Sequence, residues 1–385
     1  MSRLPQKSNE IHQLQQYDRN HVVTAFGLIN IGSICWFNTL IQTLLSIPKF
    51  NIQLTQLYIE PKGKEGPKFY TIPDSVVTKL KDIVNRLNSL KYAHETSGNY
   101  PIEDLSGVVK TINNVLKNKF ENNYNHSQQC FIEGFDAIIE HLNKLLNVFG
   151  DIFKHIYIIT TKCNLCNKIS SIDNNSSSNY IILYNGGYPT NNEKVPFKIK
   201  YADLINRARY DGIAEKKLVY EFSKMIHKYY TFPEDYKCEN CNNVNINNIN
   251  INNINNNDDF NINANIVREN RMRRVNEVIV LAFSPDKYQS WDKSVNSGAN
   301  YSNGLNIWFP DYIIFPCLNR DIFMQFQLVA QIERIGATTN SGHYYGRFKR
   351  NDGIYEINDT SVKKVDKFEP TDNTNAVFYH FSGYI

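Results

Sequence analysis

The sequence predicts an α+β fold, and three observations carry that expectation. Apolar residues recur at three- and four-residue spacing up to about residue 150, the pattern of helices that bury one face. From about residue 153 the texture changes to short β-branched and aromatic runs, which read as strands. Among these strands lies a low-complexity stretch, 242–265, in which 14 of 24 residues are Asn. Such a segment cannot supply a core and reads as a disordered insertion.

The elements follow in order. Residues 1–20 are polar and read as a mobile arm. In the segment 27–48, Leu40, Leu44 and Ile47 share one helical face and Phe37, Ile41 and Leu45 another, with Ser33 as the expected N-cap and Pro48 as the stop. Val76, Val77, Leu80, Ile83, Val84 and Leu87 predict a helix within 72–120. Phe135, Ile138, Ile139, Leu142, Leu145 and Leu146 predict an amphipathic helix over 128–148. Strands are expected at 156–159, 180–184, 278–283, 312–315, 324–332, 343–348, 354–357 and 376–381.

Composition narrows the function. The chain has 385 residues, 42% of them hydrophobic, with 42 basic and 38 acidic side chains and a net charge of +4. A core can form, and the near-balanced charge argues against a dedicated nucleic-acid binder. No apolar run approaches the ~20 residues of a membrane span. The N-terminus lacks the apolar stretch of a signal peptide. The expected location is the cytoplasm or nucleus, where seven cysteines stay reduced and serve as metal ligands, nucleophile or core.

Three constellations carry chemistry. Cys35 falls in the first turn of the 27–48 helix, where unpaired N–H groups and the positive end of the helix dipole favour a thiolate. His343 opens a strand after Ser341-Gly342, and Asn358 lies fifteen residues on, across a turn at Asn351-Asp352-Gly353. An amide beside an imidazole fixes its tautomer and leaves the other ring nitrogen to exchange a proton with a thiol. Finally, Cys163-x-x-Cys166 and Cys238-x-x-Cys241 have zinc-knuckle spacing. Four thiolates make a closed, structural zinc site with no position left for water. Cys130 and Cys317 lie in apolar contexts and are expected in the core.

Taken together, these residues resemble the ubiquitin-specific proteases, papain-like deubiquitinases of the ubiquitin carboxyl-terminal hydrolase type. Gly27, Leu28, Asn30, Gly32, Cys35, Asn38, Gln42 and Leu44 match that family's cysteine box. Gln128-Gln129 with Glu133, Ile314-Phe315-Pro316, Ser341 to Tyr344, and Asn358-Asp359 match its later motifs in order. The chain departs at Ser33-Ile34, at Trp36 for the family's Tyr, at Cys130 for its Asp, and at Ser284-Pro285-Asp286.

The resemblance implies a helical thumb at about 27–150, zinc-bearing β fingers at about 153–275 and a β palm at about 276–385, within one catalytic domain at 21–385. It implies Cys35 as nucleophile, His343 as base, Asn358 as third triad member with Asp359 as auxiliary, and Asn30 with the Cys35 N–H as oxyanion donors. Gly342 and Tyr344 would line the substrate channel, and Cys163, Cys166, Cys238 and Cys241 would hold zinc, with no catalytic cofactor. The expected partners are ubiquitin and ubiquitinated proteins, with no nucleic acid or membrane, the protein acting as a monomer. Two other readings stand beside it: a non-catalytic ubiquitin-binding scaffold, and a protease for a ubiquitin-like modifier. The 308-residue gap between Cys35 and His343 disfavours a general papain-like protease, which spaces them by ~130–150.

Overall fold

The computed structural model describes residues 23–56, 75–89, 100–120, 130–145, 149–163, 166, 168–184, 215–231, 266–284, 308–316, 323–336, 342–371 and 373–385. The N-terminal arm, the Asn-rich stretch, Cys238, Cys241 and Cys317 lie outside them. The chain divides into two compact units, one of Met1–Phe153, Asn179–Pro189 and Asn276–Ile385, the other of Lys154–Ser178 and Thr190–Val275.

In the first unit the described helices are α1 (Cys35–Leu44), α2 (Pro48–Gln56), α3 (Ser75–Ser89), α4 (Ser106–Phe120), α5 (Phe131–Leu145) and the single turn α6 (Gly150–Phe153). A short parallel pair, β1 (Gly27–Leu28) and β2 (Ile102–Glu103), lies among them. The remaining strands are β5 (Ile181–Tyr184), β8 (Val278–Ser284), β9 (Tyr312–Pro316), β10 (Phe323–Ile335), β11 (His343–Arg350), β12 (Gly353–Asn358), β13 (Ser361–Val365) and β14 (Thr374–Tyr384). They form one sheet in the order β13-β12-β11-β10-β14-β8-β5, with β9 also paired to β10. Every pairing is antiparallel except β5 with β8.

Helix α1 is buried along its whole length. A helix without a wet face must satisfy its polar side chains internally. Gln42 Nε2 donates to the Phe26 carbonyl at 2.8 Å, the Thr43 hydroxyl donates to the Thr39 carbonyl at 2.8 Å, and Asn38 Nδ2 donates to the Ile29 carbonyl at 3.3 Å, while Asn38 Oδ1 has no partner among the described residues. Pro48 does not simply end this helix. α1 stops at Leu44, and Pro48 opens α2, because proline's fixed φ and missing N–H suit a first helical position. Helix α5 faces the sheet with Phe131, Phe135, Ile138, Ile139 and Leu142, all buried. Phe135 meets Phe378 of β14 edge-on at 5.4 Å, and Phe131 meets Tyr344 of β11 at 6.1 Å.

One packing detail accounts for a departure in the sequence. A Cβ built on Gly134 of α5 would lie 2.7 Å from Cε3 of Trp36, so the bare glycine makes room for the indole. Both residues are buried, and Phe37 closes the ring's edge at 5.7 Å.

The second unit holds a four-stranded sheet of β4 (Ile169–Ser178), β3 (His155–Cys163), β7 (Ile266–Arg274) and β6 (Lys228–Thr231), in that order, with α7 (Glu215–His227) preceding β6. All its pairings are antiparallel. Cys163 ends β3 and is buried, while Cys166 is exposed in the turn to β4. The Cys163 N–H donates to the Lys168 carbonyl at 3.0 Å, closing that turn. No described helix is long and apolar enough to cross a membrane.

Gly134→Ala tests the indole seat. The methyl raises helix propensity by about 1 kcal/mol, but overpacking a filled core costs about 1–3 kcal/mol. A lowered melting temperature is expected, and an unchanged or higher one would show that Trp36 can move aside.

Candidate active site

The segment leading into α1 is clamped from two sides. The Gly27 N–H donates to the Pro101 carbonyl at 2.8 Å, and the Ile29 N–H donates to the Glu103 carbonyl at 2.9 Å. On the other side the Leu28 N–H donates to the Asp359 carbonyl at 2.9 Å. A Cβ on Gly27 would sit 2.9 Å from the Thr360 backbone, so only glycine permits this approach. Gly32 then turns the chain with φ of +102°, a region that side chains avoid. Ser33 is not the N-cap. Ile34 takes that place and no side chain caps the helix, since Ser33 falls one residue too early for its hydroxyl to reach the first turn. Cys35 is therefore the first helical residue, and it is 4% exposed.

Strand β11 brings the imidazole. It pairs with β10 so that His343 lies opposite Ile335, and with β12 so that the hairpin delivers Asn358 alongside. His343 Nε2–H donates to Asn358 Oδ1 at 2.6 Å. The Tyr344 N–H donates to Cys35 Sγ at 3.5 Å. The hydrogen bond between His343 and Cys35 is the main cause that raises the imidazole pKa to about 9; burial opposes it, and Asn358 and Asp359 add to it. At neutral pH the ring thus carries its extra proton.

Asp359 follows in a left-handed conformation, φ 50°, which Asp tolerates better than most residues. Its carboxylate accepts from Asn30 Nδ2 at 3.0 Å and from Asn38 Nδ2 at 2.9 Å, and stands 3.8 Å from His343 Nε2. Asn358 is thus the direct partner of the imidazole, while Asp359 holds the two asparagines that flank Cys35. Asn30 is exposed, and its amide carries a second N–H beyond the one given to Asp359.

Gly342 is small because a Cβ there would meet the Ile335 carbonyl at 2.8 Å and the Arg334 guanidinium at 3.0 Å. Tyr344 is only 3% exposed, with its hydroxyl accepting the Phe131 N–H at 3.4 Å. It turns its ring toward α5 and meets the site through its backbone. Cys130 is half-buried against the core, and burial pushes its thiol up to about 12, so it is inert at neutral pH. Sequence reading assigned no role to Asn38. The signal was its place one helical turn after Cys35, on the same face.

A sulfur at a helix start, an imidazole in contact with it and an amide behind the imidazole form the working set of a cysteine hydrolase. Comparison with known proteins agrees. The family model for ubiquitin carboxyl-terminal hydrolase matches residues 26–381. Two solved structures of the SAGA DUB module, Ubp8 with Sgf11, Sus1 and Sgf73, share the fold. The one bound to monoubiquitin has a TM-score of 0.54 at 17% identity, and the one bound to ubiquitin aldehyde 0.53 at 17%. Each alignment covers 94% of this chain and 70% of the other. A search of the curated proteins gives no match. The chain belongs to the ubiquitin carboxyl-terminal hydrolase family. It is a cysteine-type deubiquitinase.

The elevated imidazole gives a signed prediction. His343 keeps its proton below about 9 and loses it as the pH rises through that value. Removing a contact that raises the value moves the loss to lower pH. NMR titration of the His343 ring is expected to show the largest fall in Cys35→Ala and a smaller one in Asn358→Ala. An unmoved titration in Asn358→Ala would refute the assigned contact.

Proposed function

We propose that Cys35, His343, Asn358 and Asn30 hydrolyse the bond after the C-terminal glycine of ubiquitin. One observation carries the reading: Cys35 and Asn358 both hydrogen-bond the same imidazole, the latter at 2.6 Å. The thiolate attacks the glycine carbonyl, forming a C–S bond and a tetrahedral oxyanion. Asn30 and the Cys35 N–H receive that oxyanion. Each such donor contributes about 3–4 kcal/mol to the transition state. The C–N bond then breaks, and His343 gives its proton to the departing lysine amine. The now neutral imidazole takes a proton from water as that water attacks the thioester carbonyl, and the C–S bond then breaks to restore the thiolate beside the charged ring. Asn358 keeps the ring oriented through both halves, and Asp359 holds Asn30 toward the oxyanion.

Zinc has a separate, structural part. Cys163 and Cys166 sit at the tip of one hairpin in the second unit, with the turn closed by the Cys163 N–H. That geometry suits half of a four-thiolate knuckle pair. Cys238 and Cys241 would supply the other half. The ion would fix the tip and take no step in hydrolysis. The partner follows from the same reading: ubiquitin, attached to other proteins.

The test is covalent capture by ubiquitin carrying a C-terminal electrophile, with Cys35→Ala alongside. An adduct in the wild type alone supports both nucleophile and partner. A folded wild type that binds ubiquitin yet forms no adduct would make it a scaffold. For the metal, purified protein is expected to hold about one zinc per chain, lost in Cys163→Ser; folded, zinc-free wild type would overturn that site.

A further inference from the structure

Arg350 ends β11, and its side chain is 2% exposed. No carboxylate among the described residues pairs with it. Its guanidinium instead gathers neutral acceptors. Nη1 donates to the Ser46 hydroxyl and to the Lys349 carbonyl at 3.3 Å. Nη2 donates to Gln42 Oε1 and to the Gln42 carbonyl at 3.4 Å. The group lies 5.8 Å over the Phe26 ring and 5.5 Å over the Phe348 ring. Gln42 Nε2 continues the chain of contacts to the Phe26 carbonyl, and the Ser46 hydroxyl donates to the Gln42 carbonyl at 2.8 Å.

A buried cation without a counter-charge is costly. Here part of the compensation comes from the last turn of α1, whose carbonyls form the negative end of the helix dipole. The three segments that meet at this guanidinium are those that carry the site. α1 begins at Cys35. β11 begins at His343. The segment after Phe26 runs through Gly27 and Leu28 to Asn30. Each reaches the chemistry at one end and Arg350 at the other.

We infer that Arg350 is a positioning residue, a pin at the far ends of three segments that sets nucleophile, imidazole and oxyanion donor relative to one another. This rests on the roles proposed above. Its loss should act on the rate of the bound complex, because misplacement by about 1 Å costs about a hundredfold in rate. It should leave ubiquitin affinity largely alone, since the group is enclosed in the core.

The experiment compares wild type, Arg350→Met, Arg350→Lys and Ser46→Ala on a ubiquitin–fluorophore amide. The melting curve establishes that each is folded, and ubiquitin affinity is measured in a Cys35→Ala background. For Arg350→Met, kcat is expected to fall about a hundredfold with KM and affinity within about threefold. Arg350→Lys, which keeps the charge but cannot span Ser46 and Gln42 together, should recover part of that rate. Ser46→Ala keeps the cation and removes one acceptor, so it reports even where Arg350→Met does not fold; a kcat loss of about threefold at unchanged KM is expected. Wild-type kcat in folded Arg350→Met, or in Ser46→Ala, would overturn the inference, as would a loss carried by KM. A wild type without hydrolysis or adduct would instead sink the assigned roles, and this inference with them.

Discussion

Everything at the site depends on how closely two backbones approach, that of Gly27-Leu28 and that of Asp359-Thr360. The missing Cβ of Gly27 allows contact with Thr360, and the Leu28 N–H finds the Asp359 carbonyl. From that junction the carboxylate of Asp359 reaches Asn30 and Asn38. Asn358, one residue earlier, reaches His343. A single turn therefore sets Asn358 against the imidazole and Asn30 and Asn38 against the Asp359 carboxylate. Its own cost is one residue in the left-handed region, which the carboxylate's two hydrogen bonds offset.

The electrostatics follow the same economy of means. The imidazole is charged at neutral pH because it touches a sulfur and an amide oxygen, although burial alone would push it the other way. Arg350 is held without a carboxylate by a helix end and two aromatic faces. At the far end of α1 neutral groups, suitably aimed, stabilise a full charge. They need no reorganisation when the reaction moves charge, which is the physical content of preorganisation.

Much of this was legible in the sequence, and the exceptions have physical reasons. Long apolar periodicity located α3 and α5, a continuous apolar run located β8, and the strand expected at 324–332 falls within β10. β4 was invisible because its ten residues are mostly Ser, Asn and Asp; its pairing with β3 supplies the order that its side chains do not. β13 is an edge strand with a largely exposed face, so it carries little apolar signal. At the site, Cys35, His343 and Asn358 could be found by residue type and spacing. The Asp359 contacts, the Trp36–Gly134 seat and the Arg350 pin could not. Each joins positions far apart in the chain, and nothing local in the sequence marks such a pair.

That remoteness has a consequence for the moment at which the protein becomes a protease. Asn30 and Cys35 lie near residue 30, while His343, Asn358 and Asp359 lie between 343 and 359. A chain emerging from the ribosome displays Cys35 long before any partner that could activate it. Formation of these contacts requires closing a very long loop, a late and slow event in folding. The thiol is thus kept out of work until nearly the whole domain exists. Order of synthesis separates making the enzyme from switching it on.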